Sequence, residues 1–187
     1  SSSSSSSSSL DTDLASTAIQ FGQHFVFRDP VIIPTESIPS ATSSSLSKFL
    51  MIVMYNLALT LHLHALSSSR VSSSHKKKQV KKLFVRSRQL YELALKMHLE
   101  LEDDIDPLFT LALTNNLGLI YRTMNEKVRS KICFQNMFST MMYLLDSSQH
   151  EDTSTPQSIH MDIWDGLLSN AMNILHKHTY EVAAAAA

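Results

Sequence analysis

The sequence predicts an all-α fold, and three observations carry the prediction. Apolar residues recur at three-and-four spacing, the mark of a single helix face, through most of residues 48–145. Helix-start signals punctuate that run: serines precede Phe49, and Asp106-Pro107 reads as N-cap and first helical residue. Within residues 114–142, two periodic runs flank the short turn Met124-Asn125-Glu126, which is the pattern of a helical hairpin. The architecture expected is two antiparallel helical hairpins and a C-terminal capping helix, with an extended N-terminal segment and disordered serine-rich stretches.

Taken in order, residues 1–18 open on nine serines and read as a disordered tail, and residues 179–187, ending in five alanines, read as another. With no initiator methionine, the sequence reads as a piece of a longer protein. Residues 19–34 read as extended. Phe25 and Phe27 alternate around Val26, and Pro30 and Pro34 bracket the β-branched Val31-Ile32-Ile33. Such a segment either straps across the helices or forms an edge strand with a partner outside this sequence, since one strand is not stable alone. Residues 35–47 are a serine-rich linker, and a helical-repeat domain follows over 48–178.

The first helix of that domain, from near Ser45 through Leu66, is almost free of charge and long enough to resemble a membrane span. Asn56, Thr60, His62 and His64 favour a buried first helix instead. Residues 67–79 read as a mobile low-complexity insertion, because they carry too few apolar side chains to offset the entropy of ordering. The second helix presents Val80, Leu83, Phe84, Ser87, Tyr91, Ala94 and Leu95 on one face. The acidic run from Glu100 to Asp106 lies just ahead of the third helix, where the helix dipole favours negative charge. The fourth helix carries Phe134, Met137, Phe138, Met141 and Leu145, and residues 146–157 read as a polar linker. A last helix over 158–177 carries Ile159, Ile163, Trp164, Leu167, Ala171, Met172 and Leu175, and reads as the cap over the fourth helix.

In the second hairpin, Leu117-Gly118 is followed three residues after the glycine by Tyr121, and Ser130 by Phe134. A glycine twelve residues before a small serine lets two antiparallel helices approach closely. These residues resemble the tetratricopeptide repeat, whose pattern is Trp-x2-Leu-Gly-x2-Tyr and then Ala-x3-Phe. Thr114 stands where that pattern has tryptophan, Met137 where a small residue is usual, and the closing proline is missing. An earlier copy aligns: Asn56-Leu57-Ala58 with Asn116-Leu117-Gly118, and Ser87 with Ser130. The resemblance implies a peptide-binding groove on the inner face of the first helices, carried by Ile52, Tyr55, Leu59 and His62 in one copy and Ala112, Asn115, Leu119 and Arg122 in the other. Asn115 and Arg122 are then the groups that grip a peptide backbone or carboxylate. The alternative is that the N-terminal extended segment covers these positions. Asn56 and Asn116 are assigned to structure.

The chain holds 16 basic and 17 acidic residues, so net charge gives no global argument for nucleic acid or membrane. Locally, Lys76, Lys77, Lys78, Lys81, Lys82, Arg86 and Arg88 form a basic patch, either a solubilising flank or a contact for a nucleic acid, an import receptor or an anionic surface. Three scattered glycines exclude phosphate-cradling loops, and neither a Gly-x-Ser-x-Gly elbow nor a His-Glu-x-x-His motif occurs. His62-x-His64 and His176-x-His178 lie two residues apart, off a common helix face, and the acidic run lacks calcium-loop spacing, so no metal or other cofactor is expected. The single cysteine, Cys133, falls on an apolar helix face and suits a reducing intracellular setting, cytoplasmic or nuclear. The function expected is a non-catalytic scaffold for protein–protein interaction, with a peptide or another subunit as partner.

Overall fold

The computed structural model describes residues 26–32, 43–69, 74–101, 106–150 and 163–172 of the chain. Among them are five helices and no strand: α1 (Ser43–Ser68), α2 (Ser74–Leu99), α3 (Pro107–Thr123), α4 (Lys127–His150) and α5 over 163–172. The all-α fold is thus observed. α1 pairs with α2 and α3 with α4 as antiparallel hairpins, and α2 packs on α3.

Each hairpin is drawn tight at one point by the same device. In the second, Ser130 Oγ donates to the Gly118 carbonyl at 2.9 Å. A Cβ on Gly118 would lie 2.5 Å from Phe134 Cε2, so the ring occupies the space that glycine leaves. In the first, Ser87 Oγ donates to the Ala58 carbonyl at 2.7 Å. The residues aligned by spacing therefore occupy equivalent positions, and both hydroxyls find an acceptor inside a buried seam where an unpaired one would be costly.

The helix ends follow from local chemistry. Asp106 caps α3 by accepting from the Leu108 N–H at 2.8 Å, with Pro107 at the first helical position. At the other end Asn125 takes a positive φ of 61°. Its N–H bonds the Arg122 carbonyl and that of Glu126 bonds Tyr121, so the last carbonyls are satisfied and the chain reverses into α4. An ionic cluster locks this turn to α2. Arg88 Nη1 lies 2.7 Å from Glu126, Tyr121 Oη donates to Glu92, and the Arg129 guanidinium stands over the Tyr121 ring.

Tyr55, Tyr91, Phe109, Leu111, Leu113, Leu117, Ile120, Phe134, Met137 and Met141 fill the core. A chain of polar groups crosses it. Asn170 of α5 donates to Asn115 Oδ1 at 2.9 Å, Asn115 donates to Asn116 at 3.1 Å, and Asn116 Nδ2 donates to Tyr91 Oη at 3.1 Å and Tyr55 Oη at 3.3 Å. Four helices thus share one hydrogen-bonded register, each amide compensated for its burial by the next.

The observed boundaries depart from expectation in three places. Most of the insertion expected over 67–79 is helical: α1 runs through Ser68 and α2 begins at Ser74. Ser67 and Ser69 donate to the His64 and Leu66 carbonyls and close the end of α1, while lysines are good helix formers once the hairpin has nucleated the helix. Next, α4 continues to His150 and absorbs the first residues of the linker expected over 146–157. Its buried stripe is Ser130, Cys133, Phe134, Met137 and Met141, so Phe138 and Leu145, expected on one face with Phe134, Met137 and Met141, are exposed. Finally, α5 is anchored on α3 through Asn170 rather than serving only as a lid on α4. Leu167 and Ala171 are buried as expected, Met172 is exposed, and Ile159 and Leu175 lie outside the described residues, as do both terminal tails.

Candidate functional site

The most specific polar contact on the outside of the bundle joins α1 to residues 26–32, an irregular segment that bends at Asp29 and has no ladder partner among the described residues. Asn56 Oδ1 accepts from the Val31 N–H at 2.9 Å, and Asn56 Nδ2 donates to the Val31 carbonyl at 2.9 Å. One carboxamide thereby satisfies both backbone groups of one extended residue, as a neighbouring strand would. An edge strand was one of the two readings of this segment. Over residues 26–32 the segment lies on the helices, as the strap reading has it, and a side chain bonds its backbone; residues 19–25 and 33–34 lie outside the described residues.

The strap is fixed at a second point. A Cβ on Gly166 of α5 would lie 2.6 Å from Val26 Cγ2, so Val26 nests where that glycine exposes its backbone. Val26, Phe27 and Val31 are half-buried against the core, while Arg28, Asp29, Pro30 and Ile32 face solvent. The segment is thus held at Val26 and at Val31, with Phe27 packed on the core between them. Beside it on α1, Leu46, Phe49, Leu50, Val53 and Leu57 form an exposed apolar stripe, and Val53 lies one turn before Asn56.

The groove expected on Tyr55, Leu59, His62, Asn115, Leu119 and Arg122 is not open. Tyr55, Leu59, His62, Asn115 and Leu119 are buried, and Arg122 is half-buried. Ala112 is buried too, and Ile52 half-buried. The reason is packing. The Tyr55 ring packs at a tilt against Tyr91 of α2, centroids 5.6 Å apart, and Phe109 of α3, 5.1 Å apart, His62 meets Phe84 and Tyr91, and Asn115 is consumed by Asn170 and Asn116. The asparagine that bonds a backbone outside the bundle is Asn56, one position beyond Tyr55 and expected to be structural. Its matched residue, Asn116, is structural.

Burial shapes the titratable groups accordingly. His62 is held down to about 3 by desolvation, and His98, bonded to Thr110 Oγ1 at 2.8 Å, is lowered by burial against an opposing pull from Asp106. Burial, with Glu92 adding to it, pushes the Cys133 thiol up to about 12, which keeps it protonated and unreactive. Tyr55 and Tyr91 are raised well above the usual phenol value by desolvation. Among the described residues no group of three or more His, Cys, Asp or Glu side chains is placed to hold a metal. His62 points inward and His64 outward, while His176 and His178 lie outside the described residues.

In the basic patch, Lys76, Lys77, Lys78, Lys81, Lys82 and Arg86 are exposed along the first half of α2. Arg88 is not part of it, because Glu126 and Glu92 neutralise its guanidinium. The described residues contain one helix long and apolar enough to span a bilayer, Ser45–Ser68, with a third of its most apolar window buried in the bundle. Compared with known protein families, characterised proteins and solved structures, the chain matches none.

Proposed function

We propose that the chain is a non-catalytic interaction module that binds an extended peptide, or an extended segment of another subunit, across α1. The observation that carries this reading is the double bond from the Asn56 carboxamide to the Val31 backbone. A side-chain amide that offers one donor and one acceptor selects for extended backbone and is indifferent to the side chain at that position, provided it is not proline. The exposed stripe beside Asn56 offers apolar area in the same place. The resemblance to the tetratricopeptide repeat adds support, since both hairpins share the serine-to-carbonyl contact at matched positions. The test is an array of short extended apolar peptides probed with the purified chain. A subset should bind, and Asn56→Ala should weaken that binding by roughly tenfold, the worth of one to two hydrogen bonds, while leaving helical circular dichroism intact. Binding unaffected by Asn56→Ala would mean that α1 is not the site.

A second reading has its own observation in the six exposed cations on α2. Like charges one turn apart destabilise a helix, so helix stability gives no reason for them. An anionic partner such as a nucleic acid backbone does, and its binding would fall steeply with salt. Changing Lys76, Lys77, Lys78, Lys81 and Lys82 to glutamine should abolish retention on heparin. Unchanged retention leaves only a solubilising flank.

A further inference from the structure

We propose that the exposed apolar stripe of α1 receives the same stripe of a second copy of this chain, the two helices running antiparallel. The inference goes beyond the peptide-binding reading, which is carried by Asn56 at the edge of the stripe.

The fold itself shows that a helix belongs on this face. By the spacing that aligns Asn56-Leu57-Ala58 with Asn116-Leu117-Gly118, Val53 matches Leu113 and Thr60 matches Ile120. In α3, Leu113, Leu117 and Ile120 are at most 1% exposed, on the side where α2 packs. His98 of α2 bonds Thr110, one turn before Leu113, and Glu92 accepts from Tyr121, one residue after Ile120. In α1 no helix fills that place among the described residues: Val53 and Leu57 are 44% and 50% exposed, Leu46 and Leu50 58% and 45%. These values hold with residues 26–32 seated, so the strap leaves the stripe open. The four residues keep the four-three-four spacing of a helix seam, and Phe49 widens it.

Charge makes the occupant a second copy. Residues 49–69 contain no Asp, Glu, Lys or Arg, so the stripe offers a charged partner nothing to pair with, and two copies meet on it without repulsion. A two-fold contact needs only such a self-complementary face. A helix lying in a membrane surface carries cations opposite its apolar face, whereas opposite this stripe lies the core, with Tyr55, Ala58, Leu59 and His62 buried. The orientation follows from α2. Ser87 and Phe84 meet Ala58 and His62, so Lys78, Lys81 and Lys82 lie beside the C-terminal end of α1. Parallel helices would bring two such clusters together, and antiparallel helices set them at opposite ends. Beyond Leu57 the stripe continues as the exposed polar residues Thr60, His64 and Ser67, so the apolar half alone overlaps. A two-fold axis between Leu50 and Val53 then sets Leu50 of one copy on Val53 of the other, and Leu46 on Leu57, over about 17 Å of helix. The overlap covers on the order of 400 Å² on each copy, enough to mark an interface yet below the standard size of about 800 Å² per partner, so the association is in the micromolar range.

The test is sedimentation velocity of the purified chain from about 1 µM to about 500 µM. The expected result is a rise in mass from one chain to two. Leu50→Glu and Val53→Lys should each raise the dissociation constant at least roughly tenfold, because each sets a charge against an apolar side chain, and both should keep the helical circular dichroism. Mixed in equal amounts, the two variants should regain most of the native association, since the antiparallel register sets position 50 of one copy on position 53 of the other. A native chain that stays single throughout would overturn the proposal, as would a dimer indifferent to Leu50→Glu or a mixture that gains nothing over the separate variants. Flotation of a single native chain with phosphatidylcholine vesicles, lost in Leu50→Glu, would give the face to a membrane instead. Loss of helical circular dichroism in either variant would make the stripe part of the fold and overturn the proposal too. No peptide enters the measurement, so each of these outcomes leaves the Asn56 reading as it stands.

Discussion

Gly118 and Asn56 show how far single residues can be read without the fold around them. Twelve positions separate Gly118 from Ser130, and in a hairpin with a short turn that spacing sets the two face to face, so close approach was legible in the sequence. The contact with Phe134 makes its cost predictable. Gly118→Ala should destabilise the chain by about 1–3 kcal/mol through overpacking, although alanine is better than glycine in a helix by about 1 kcal/mol. Phe134→Leu in the same chain should recover part of the loss, a coupling that a double-mutant cycle in urea would measure. Additive losses would show that the ring and the glycine do not share the space. Asn56 was not legible. It aligns with Asn116, yet one bonds a strap and the other two tyrosine hydroxyls, and the difference lies in what packs over each position. Periodicity gives the face of a helix and says nothing about its neighbour.

Among the elements, α3 has both ends explained by local chemistry, and its limits were read correctly from Asp106-Pro107 and the three-residue turn. Asn125, at φ 61°, is the hinge of that turn. Asn125→Gly should be tolerated within about 0.5 kcal/mol. Asn125→Val should cost about 1–2 kcal/mol, because a β-branched side chain resists the left-handed region; equal melting temperatures for the two variants would remove this account. The start of α2 was misread for an instructive reason. Ser and Lys in 67–79 lack the apolar pattern that marks a helix, but these residues extend helices already nucleated by the buried pairs Ala58–Ser87 and His62–Phe84. Composition forecasts whether a segment can fold alone, which is a different question from whether its neighbours can prolong a helix into it.

For the whole molecule, the buried histidines give the folded state a pH dependence of definite sign. His62 titrates at about 3 in the fold and near 6.5 when unfolded, so between those values the unfolded chain binds a proton that the folded chain does not. Stability from this residue is therefore complete above about 6.5 and declines as the pH falls towards 3, by about 2 kcal/mol between pH 7 and pH 5. His98, also lowered by burial, acts in the same direction. Urea denaturation of the native chain and of His62→Leu at both pH values should show the dependence reduced in the variant; equal slopes would contradict a buried neutral imidazole. The fold class and hairpin pairing were legible because they depend on short-range spacing. The polar chain from Asn170 to the two tyrosines was not, because it joins residues as far as 61 positions apart, and no local pattern marks such a partnership.

The strap has one more consequence, which follows from its being tied to α1 by the chain itself. A tethered segment meets its site at an effective concentration on the order of millimolar. The two hydrogen bonds from Asn56 to Val31 therefore re-form within the molecule whenever they open, whatever the protein concentration.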